Sequence, residues 1–269
     1  MAIELVPHPL SSAFDWDHVL GARPPTTKVV DDEQWRSFRE EGFFIARELI
    51  DPESLDAVTN ETDRFCAQAD DVLGQLPDER LFIAERGAIT FAPHIARQST
   101  TLWNLVAHSP VASIARDMIG AGTRLYHDQA VYKASEKPRR FPWHQDNGYG
   151  FVTPQHYLTI WIALSDVPVE SGCVWVAPGL QKLGTLSHQY IEPLGWQIFD
   201  HPPVEPVAAP ISAGDAVVFS SLTPHLTGPN TSGSMRKAYI VQYVGGGAVR
   251  HEHDGRKVDL DAMCPTIGG

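Results

Sequence analysis

Long apolar runs are missing from this sequence. No stretch approaches the roughly 18 consecutive apolar residues that a membrane-crossing helix needs. The opening "MAIELVPHPLSSAFDWDHVL" also lacks the basic segment and apolar core of a signal peptide. Both absences point to a cytoplasmic protein that does not engage a membrane. Positive charge is scarce as well: 21 Lys and Arg stand against 33 Asp and Glu, a formal charge of −12, with no basic run or stripe. Nucleic acid is therefore not an expected partner. Cysteine is limited to Cys66, Cys173 and Cys264, widely spaced and without a CxxC pair. That usage excludes a disulfide framework and suits buried thiols in a reducing compartment.

Enough is present for a folded core. Apolar residues make up 43% of the 269 residues and charged residues 20%, ordinary proportions for a globular chain. The length fits one domain if β structure carries helical additions. Residues 1–30 are aperiodic and contain proline, and are expected to wrap the surface. "DDEQWRSFREEGFFIARELI" predicts a helix that stops at Gly42, followed by a short strand. "DPESLDAVTNETDRFCAQAD" predicts a second helix, capped by Asp51 and opened by Pro52, with Leu55, Val58, Thr62, Phe65 and Cys66 along one face. "TTLWNLVAHSPVASIARDMIGAG" predicts helix broken near Pro110 and ended at Gly120.

Beyond residue 120 the texture changes to short β-type runs bounded by Gly, Pro and Asp, with no regular helical spacers between them. That pattern argues against βαβ units and for antiparallel sheets. The expected organisation is a mainly helical support at 1–120, a double-sheet β core at 121–250 and a tail at 251–269.

Within "RRFPWHQDNGYGF", His144 and Asp146 lie two residues apart, a spacing that points both side chains to one face of a strand. An imidazole and a carboxylate so placed can share a divalent ion but leave its coordination incomplete. His225 in "SSLTPHLTGPNTSGSMRKAYIVQY", 79 residues after Asp146, is the best third ligand. Two His and one carboxylate on one face of an octahedron leave three positions open, the arrangement of non-heme Fe(II) oxygenases. Arg236, eleven residues past His225, offers a guanidinium suited to a carboxylate-bearing cosubstrate. A lone HxD occurs often by chance; HxD with a distal His and an Arg on the following strand is far more specific. A non-catalytic metal- or sugar-binding β fold, or a zinc hydrolase or isomerase, would use parts of the same set.

In order and spacing, "EEGFFIARELIDPESLDAV", "WHQD", "LTIWIALSDVPVESGCVWVAPG" and "PHLTGPNTSGSMRKAYIVQY" resemble the phytanoyl-CoA dioxygenase-like family of Fe(II)/2-oxoglutarate-dependent oxygenases. The resemblance implies a mainly β fold with α additions, a double-stranded β-helix (jelly-roll, cupin-like) core under a helical N-terminal layer. It implies His144, Asp146 and His225 as iron ligands and Arg236 on the distal carboxylate of 2-oxoglutarate, with O2 as the other cosubstrate. It also suggests Thr227 as a hydroxyl assisting Arg236, and Trp161 and Gln129 as cosubstrate-pocket residues. One departure stands out: Leu180 and Gln181 occupy the place of a Ser-His pair frequent in relatives. Halogenating relatives replace the carboxylate ligand with a small residue, so Asp146 points to a halide-free oxidation: hydroxylation of a small metabolite with release of succinate and CO2, or, with the same cofactors, desaturation, epimerisation or a ring-forming oxidation.

Other polar residues are weighed more plainly. Asn147, Tyr149 and Phe151 are candidates for the substrate side, while Trp143 alternates away from the metal. His127, on the strand before the motif, could approach the site but is expected to be structural or solvent-facing, and His251 and His253 are expected to lie in a solvated turn. Lys137, Arg139 and Arg140 could attract an anionic substrate such as an acyl-CoA, or form a solvated loop. Substrate identity and oligomeric state stay open.

Overall fold

The structure, a computed structural model, describes residues 5–11, 14–21, 29–120, 122–192, 194–252 and 254–268. Each predicted helix forms where its caps dictate. Asp31 and Gln34 close a reciprocal capping box at the start of Asp32–Glu41, and Gly42 ends that helix in the left-handed region at φ 90°. Asp51 accepts from the Ser54 amide and Pro52 opens Pro52–Leu73. Ser99 and Ser109 cap Thr100–His108 and Pro110–Ile119, so the break at Pro110 is a joint between two helices. A short helix, Trp16–Leu20, lies in the segment expected to be aperiodic.

Two antiparallel sheets make the core. The larger has eight strands in the order Phe43–Ala46, Ala216–Ser220, Leu158–Ala163, Arg236–Val244, Arg124–Lys133, Ile89–Pro93, Ala84–Glu85 and Arg80–Leu81. The smaller has four: Val207–Ala209, Val174–Val176, His225–Thr227 and Phe141–His144. This is the predicted jelly-roll with helices on one side, and two features differ from the sequence expectation. Residues 1–120 are not support alone, because Phe43–Ala46 and Ile89–Pro93 pair directly with core strands. The expected tail is also structured: Lys257–Asp259 pairs with Val249–His251, which pairs with Phe151–Thr153. His251 is therefore a strand residue rather than part of a solvated turn, and His253 lies outside the described residues.

Alternation along the strands sorts side chains between two compartments. Leu158, Ile160, Ile162, Tyr239, Val241 and Tyr243 point to the helices and bury against Leu102, Val106, Ile114 and their neighbours. Their alternates, Trp161, Ala163 and Ala238, face the smaller sheet and pack with Val174, Val176 and Val217. The same inward face carries Gln129, Val131 and Lys133, paired in register with Ile240, Ala238 and Arg236. A polar ladder thus runs inside the β core, where burial demands a reason for each charge. Asp128, on the outward face, has that reason: it accepts from the Ile95 and Ala96 amides and the Tyr239 hydroxyl at 2.8–2.9 Å, fixing the turn before Thr100–His108.

Candidate active site

His144 and His225 come together because their strands pair in register in the smaller sheet. Their rings lie 4.1 Å apart between centroids. Asp146 does not share the His144 strand as the spacing predicts. The strand ends at His144, Gln145 stays extended, and Asp146 opens a 3-10 turn over Asp146–Gly148. One extended residue preserves the alternation, so the carboxylate still points toward both imidazoles. Asp146 Oδ1 lies 3.7 Å from His144 Nε2 and 3.8 Å from His225 Nε2. The three residues form a group that could hold one metal ion, with ligand atoms within 4.8 Å of one another.

The surroundings fix each donor. His144 Nδ1 is 2.8 Å from the Pro142 carbonyl and His225 Nδ1 is 2.9 Å from the Thr223 carbonyl. A carbonyl only accepts, so each Nδ1 carries the proton and each Nε2 lone pair faces the site, the orientation a metal requires. Burial, and then the neighbouring His144, lowers His225 to about 4, which keeps it neutral. Burial alone would raise Asp146, but His225 and His144, with the 2.6 Å hydrogen bond from Thr159 Oγ1 to Oδ2, outweigh it and hold the carboxyl at about 2.

His188 is a further positioning residue, absent from the motifs. Its Nε2 accepts from the Gln145 amide, between the two ligands of the HxD, at 2.9 Å, and its Nδ1 donates to the Leu186 carbonyl. A side chain on Gly148 would collide with its ring. We expect His188→Ala to leave the Gln145 amide unpartnered and to weaken Fe(II) affinity by roughly 10–100-fold. Competition with a colorimetric chelator measures this, and His188→Gln, which keeps an acceptor, should recover part of the loss.

The metal group stands between two spaces. Outward opens a cleft of about 500 Å³ lined by Phe91, Tyr126, His127, Tyr149, Tyr157 and Arg250, among others. Inward lies a narrow chamber lined by Gln129, Trp161, Thr227 and Arg236. Arg236 is 1% exposed and sits 5.1 Å from the Trp161 ring centroid. Its Nη1 donates to the Val131 carbonyl at 3.3 Å, but Nε and Nη2 have no hydrogen-bond partner among the described residues. Burial lowers its pKa to about 9, leaving it a cation at neutral pH. A buried guanidinium edge without an acceptor is costly, and a carboxylate is the group that would satisfy both nitrogens at once.

Thr227 lines the chamber with Arg236, but its Oγ1 accepts from Lys133 Nζ at 2.8 Å, and no hydrogen bond joins Thr227 to Arg236 among the described residues. Of Asn147, Tyr149 and Phe151, the candidates for the substrate side, Tyr149 lines the cleft. Asn147 is spent on Thr185 and the Val152 amide, and Phe151 is buried against His8 and His251. Trp143 turns outward to Phe199, as its alternation predicts. His127 reaches the cleft wall, in edge contact with His94, and so does His251. Arg139 and Lys137 both pair with Glu85, and Arg140 with Asp200, so the basic cluster is engaged locally.

Fold and site together define a class: the protein is a non-heme Fe(II)- and 2-oxoglutarate-dependent dioxygenase, with O2 as its second cosubstrate. More closely, the chain belongs to the phytanoyl-CoA dioxygenase (PhyH) family, whose sequence profile matches residues 38–238. The peroxisomal phytanoyl-CoA dioxygenase of Rattus norvegicus is 23% identical over 261 residues, 90% of this chain and 77% of that protein. The methylphosphonate hydroxylase of Gimesia maris is 28% identical over 176 residues, 61% of this chain and 63% of that protein. Among solved structures, the non-heme alpha ketoglutarate dependent carbocyclase SnoK from nogalamycin biosynthesis has a TM-score of 0.69 at 25% identity. The match covers 91% of this chain and 96% of SnoK. The epimerase SnoN, crystallised with Fe3+, alpha ketoglutarate and nogalamycin RO, has a TM-score of 0.67 at 22% identity, covering 81% of this chain and 84% of SnoN. None of the described helices is long and apolar enough to cross a membrane.

Proposed function

We propose that this enzyme hydroxylates an unactivated C–H bond of a small-molecule metabolite, releasing succinate and CO2 from 2-oxoglutarate. His144, Asp146 and His225 hold the iron, and Arg236 takes the distal carboxylate of 2-oxoglutarate. One observation carries the reading: the buried guanidinium with two unpartnered nitrogens closes the same chamber whose mouth holds the metal group. Iron with 2-oxoglutarate supplies the oxidising power. The chain supplies the rest. Thr159 and His188 hold the Asp146 turn, Trp161 and Gln129 wall the chamber, and Phe91, Phe141 and Tyr149 keep an apolar face beside His144.

The cleft fits a molecule of small-metabolite size. Because Lys137, Arg139 and Arg140 are paired with Glu85 and Asp200, the basic cluster gives little support to a CoA-linked substrate. Three buried thiols, Cys66, Cys173 and Cys264, suit the reducing cytoplasm. Ring formation or epimerisation is a second reading, favoured by the likeness to SnoK and SnoN. A screen of metabolites for substrate-coupled succinate, followed by mass analysis of the product, separates them. Gain of one oxygen supports hydroxylation, loss of two hydrogens supports ring closure, and an unchanged mass supports epimerisation. Activity that persists without added 2-oxoglutarate or O2 would overturn both readings.

A further inference from the structure

Lys133 stands directly opposite Arg236 across the paired strands Arg124–Lys133 and Arg236–Val244, on the same inward face. Both are 1% exposed. Like charges placed opposite each other on a sheet repel, and neither is ion-paired to an acid among the described residues. Burial, then the adjacent Arg236, pushes the Lys133 pKa down, and the three oxygen acceptors that surround Nζ are what favours its protonated form. A chain that needed only volume here would carry Leu or Met.

The contacts of Lys133 show what it does instead. Nζ donates to Thr227 O at 3.0 Å, to Thr227 Oγ1 at 2.8 Å and to Gly228 O at 2.8 Å, which uses all three ammonium protons. The carbonyl oxygens of Thr227, which lines the chamber, and of Gly228, the next residue, are thereby engaged by a donor. Thr227 Oγ1 accepts this bond and no other hydrogen bond to it is made among the described residues. With an ammonium proton on one lone pair of its oxygen, the hydroxyl hydrogen is turned away from Lys133 and left to donate elsewhere, and Thr227 lines the chamber beside Arg236.

We propose that Lys133 is a positioning residue for the distal carboxylate of 2-oxoglutarate: it turns Thr227 into a donor, so the carboxylate meets three donors, Arg236 Nε, Arg236 Nη2 and Thr227 Oγ1. Lys133 acts through Thr227 and does not itself touch the cosubstrate. The inference rests on the assignment of Arg236 to that carboxylate. It also accounts for two buried cations facing each other, because the pair forms a site for an anion.

The test compares two metal chelators by anaerobic calorimetric titration of the Fe(II)-loaded protein. N-oxalylglycine keeps the distal carboxylate of 2-oxoglutarate, whereas oxalate chelates the metal and has none. Lys133→Met is expected to weaken N-oxalylglycine by roughly 10–100-fold, the scale of a lost charge-assisted arrangement, and to leave oxalate within about twofold. Thr227→Val should show the same selective loss, and Thr227→Ser should retain affinity. The Lys133→Met/Thr227→Val double variant should bind no worse than the weaker single variant, since one residue acts through the other.

Equal weakening of both chelators by Lys133→Met, or additive losses in the double variant, would reduce Lys133 to a strut between the sheets and overturn the proposal. Should Lys133→Met not fold, the Thr227 pair decides: undiminished N-oxalylglycine affinity in Thr227→Val overturns it. Arg236→Met is the control for the underlying assignment. If that variant does not distinguish the two chelators, the assignment of Arg236 fails; if it does and Lys133→Met does not, only the role of Lys133 fails.

Discussion

Asp146→Ala is expected to abolish substrate-coupled succinate formation. The loss should exceed the roughly 10–100-fold that accompanies removal of a residue supporting a metal ligand, because the change removes the proposed ligand itself. Two imidazoles would remain, and the carboxylate charge that balances a divalent ion would be gone. The fold should survive, since Asp146 opens a short turn at the end of its strand and its side chain serves the site rather than the core. Thr159 Oγ1 would lose its acceptor at 2.6 Å, a modest cost of about 1 kcal/mol. The check is a coupled succinate assay beside circular dichroism and thermal unfolding. Native-like unfolding with no coupled turnover supports the assignment, and unchanged turnover contradicts it.

Arg236→Met carries the second large effect, in two opposite directions. The unliganded protein should become more stable by about 1–3 kcal/mol, because a buried cation with two unpartnered nitrogens is replaced by an apolar chain of similar length. Affinity for 2-oxoglutarate should fall by about 100-fold or more, as a buried bidentate partner is lost. Stabilisation by saturating 2-oxoglutarate should shrink accordingly, because a ligand stabilises the folded state in proportion to the logarithm of its occupancy ratio. Thermal unfolding with and without 2-oxoglutarate measures both effects on one sample. A variant less stable than the wild type and equally stabilised by 2-oxoglutarate would make Arg236 a structural residue.

The parts of this account that local spacing carries are those that depend on strand alternation and caps. His144, Asp146, His225 and Arg236 stand out because charged groups in apolar, β-type runs are costly unless they bind something. The helix limits are legible where Asp51 and Pro52 open one helix, Pro110 breaks a second and Gly42 and Gly120 end their helices. Trp161 and Gln129 follow from the family resemblance, and both line the chamber.

What is not legible depends on long-range pairing. Phe43–Ala46 reads as a short strand, yet its partner Ala216–Ser220 lies far along the chain, and propensity says nothing of that pairing. Residues 80–93 give only very short strands, too brief for a period to emerge. His188 meets Gln145 from 43 positions away, through a loop with no motif. No motif marks Lys133, although it shares the i, i+2, i+4 alternation of Gln129 and Val131, the one signal that places it inside. Asp146 shows the limit of spacing from the other side: the i, i+2 rule gives the right direction although the residue has left the strand.

The most direct measurement is an anaerobic crystal structure of the Fe(II)- and 2-oxoglutarate-loaded protein, with anomalous scattering at the iron edge. The account predicts one iron peak bonded to His144 Nε2, His225 Nε2 and an Asp146 oxygen, with the distal carboxylate of 2-oxoglutarate against Arg236 Nε and Nη2. Iron held elsewhere, or a distal carboxylate directed away from Arg236, would contradict it.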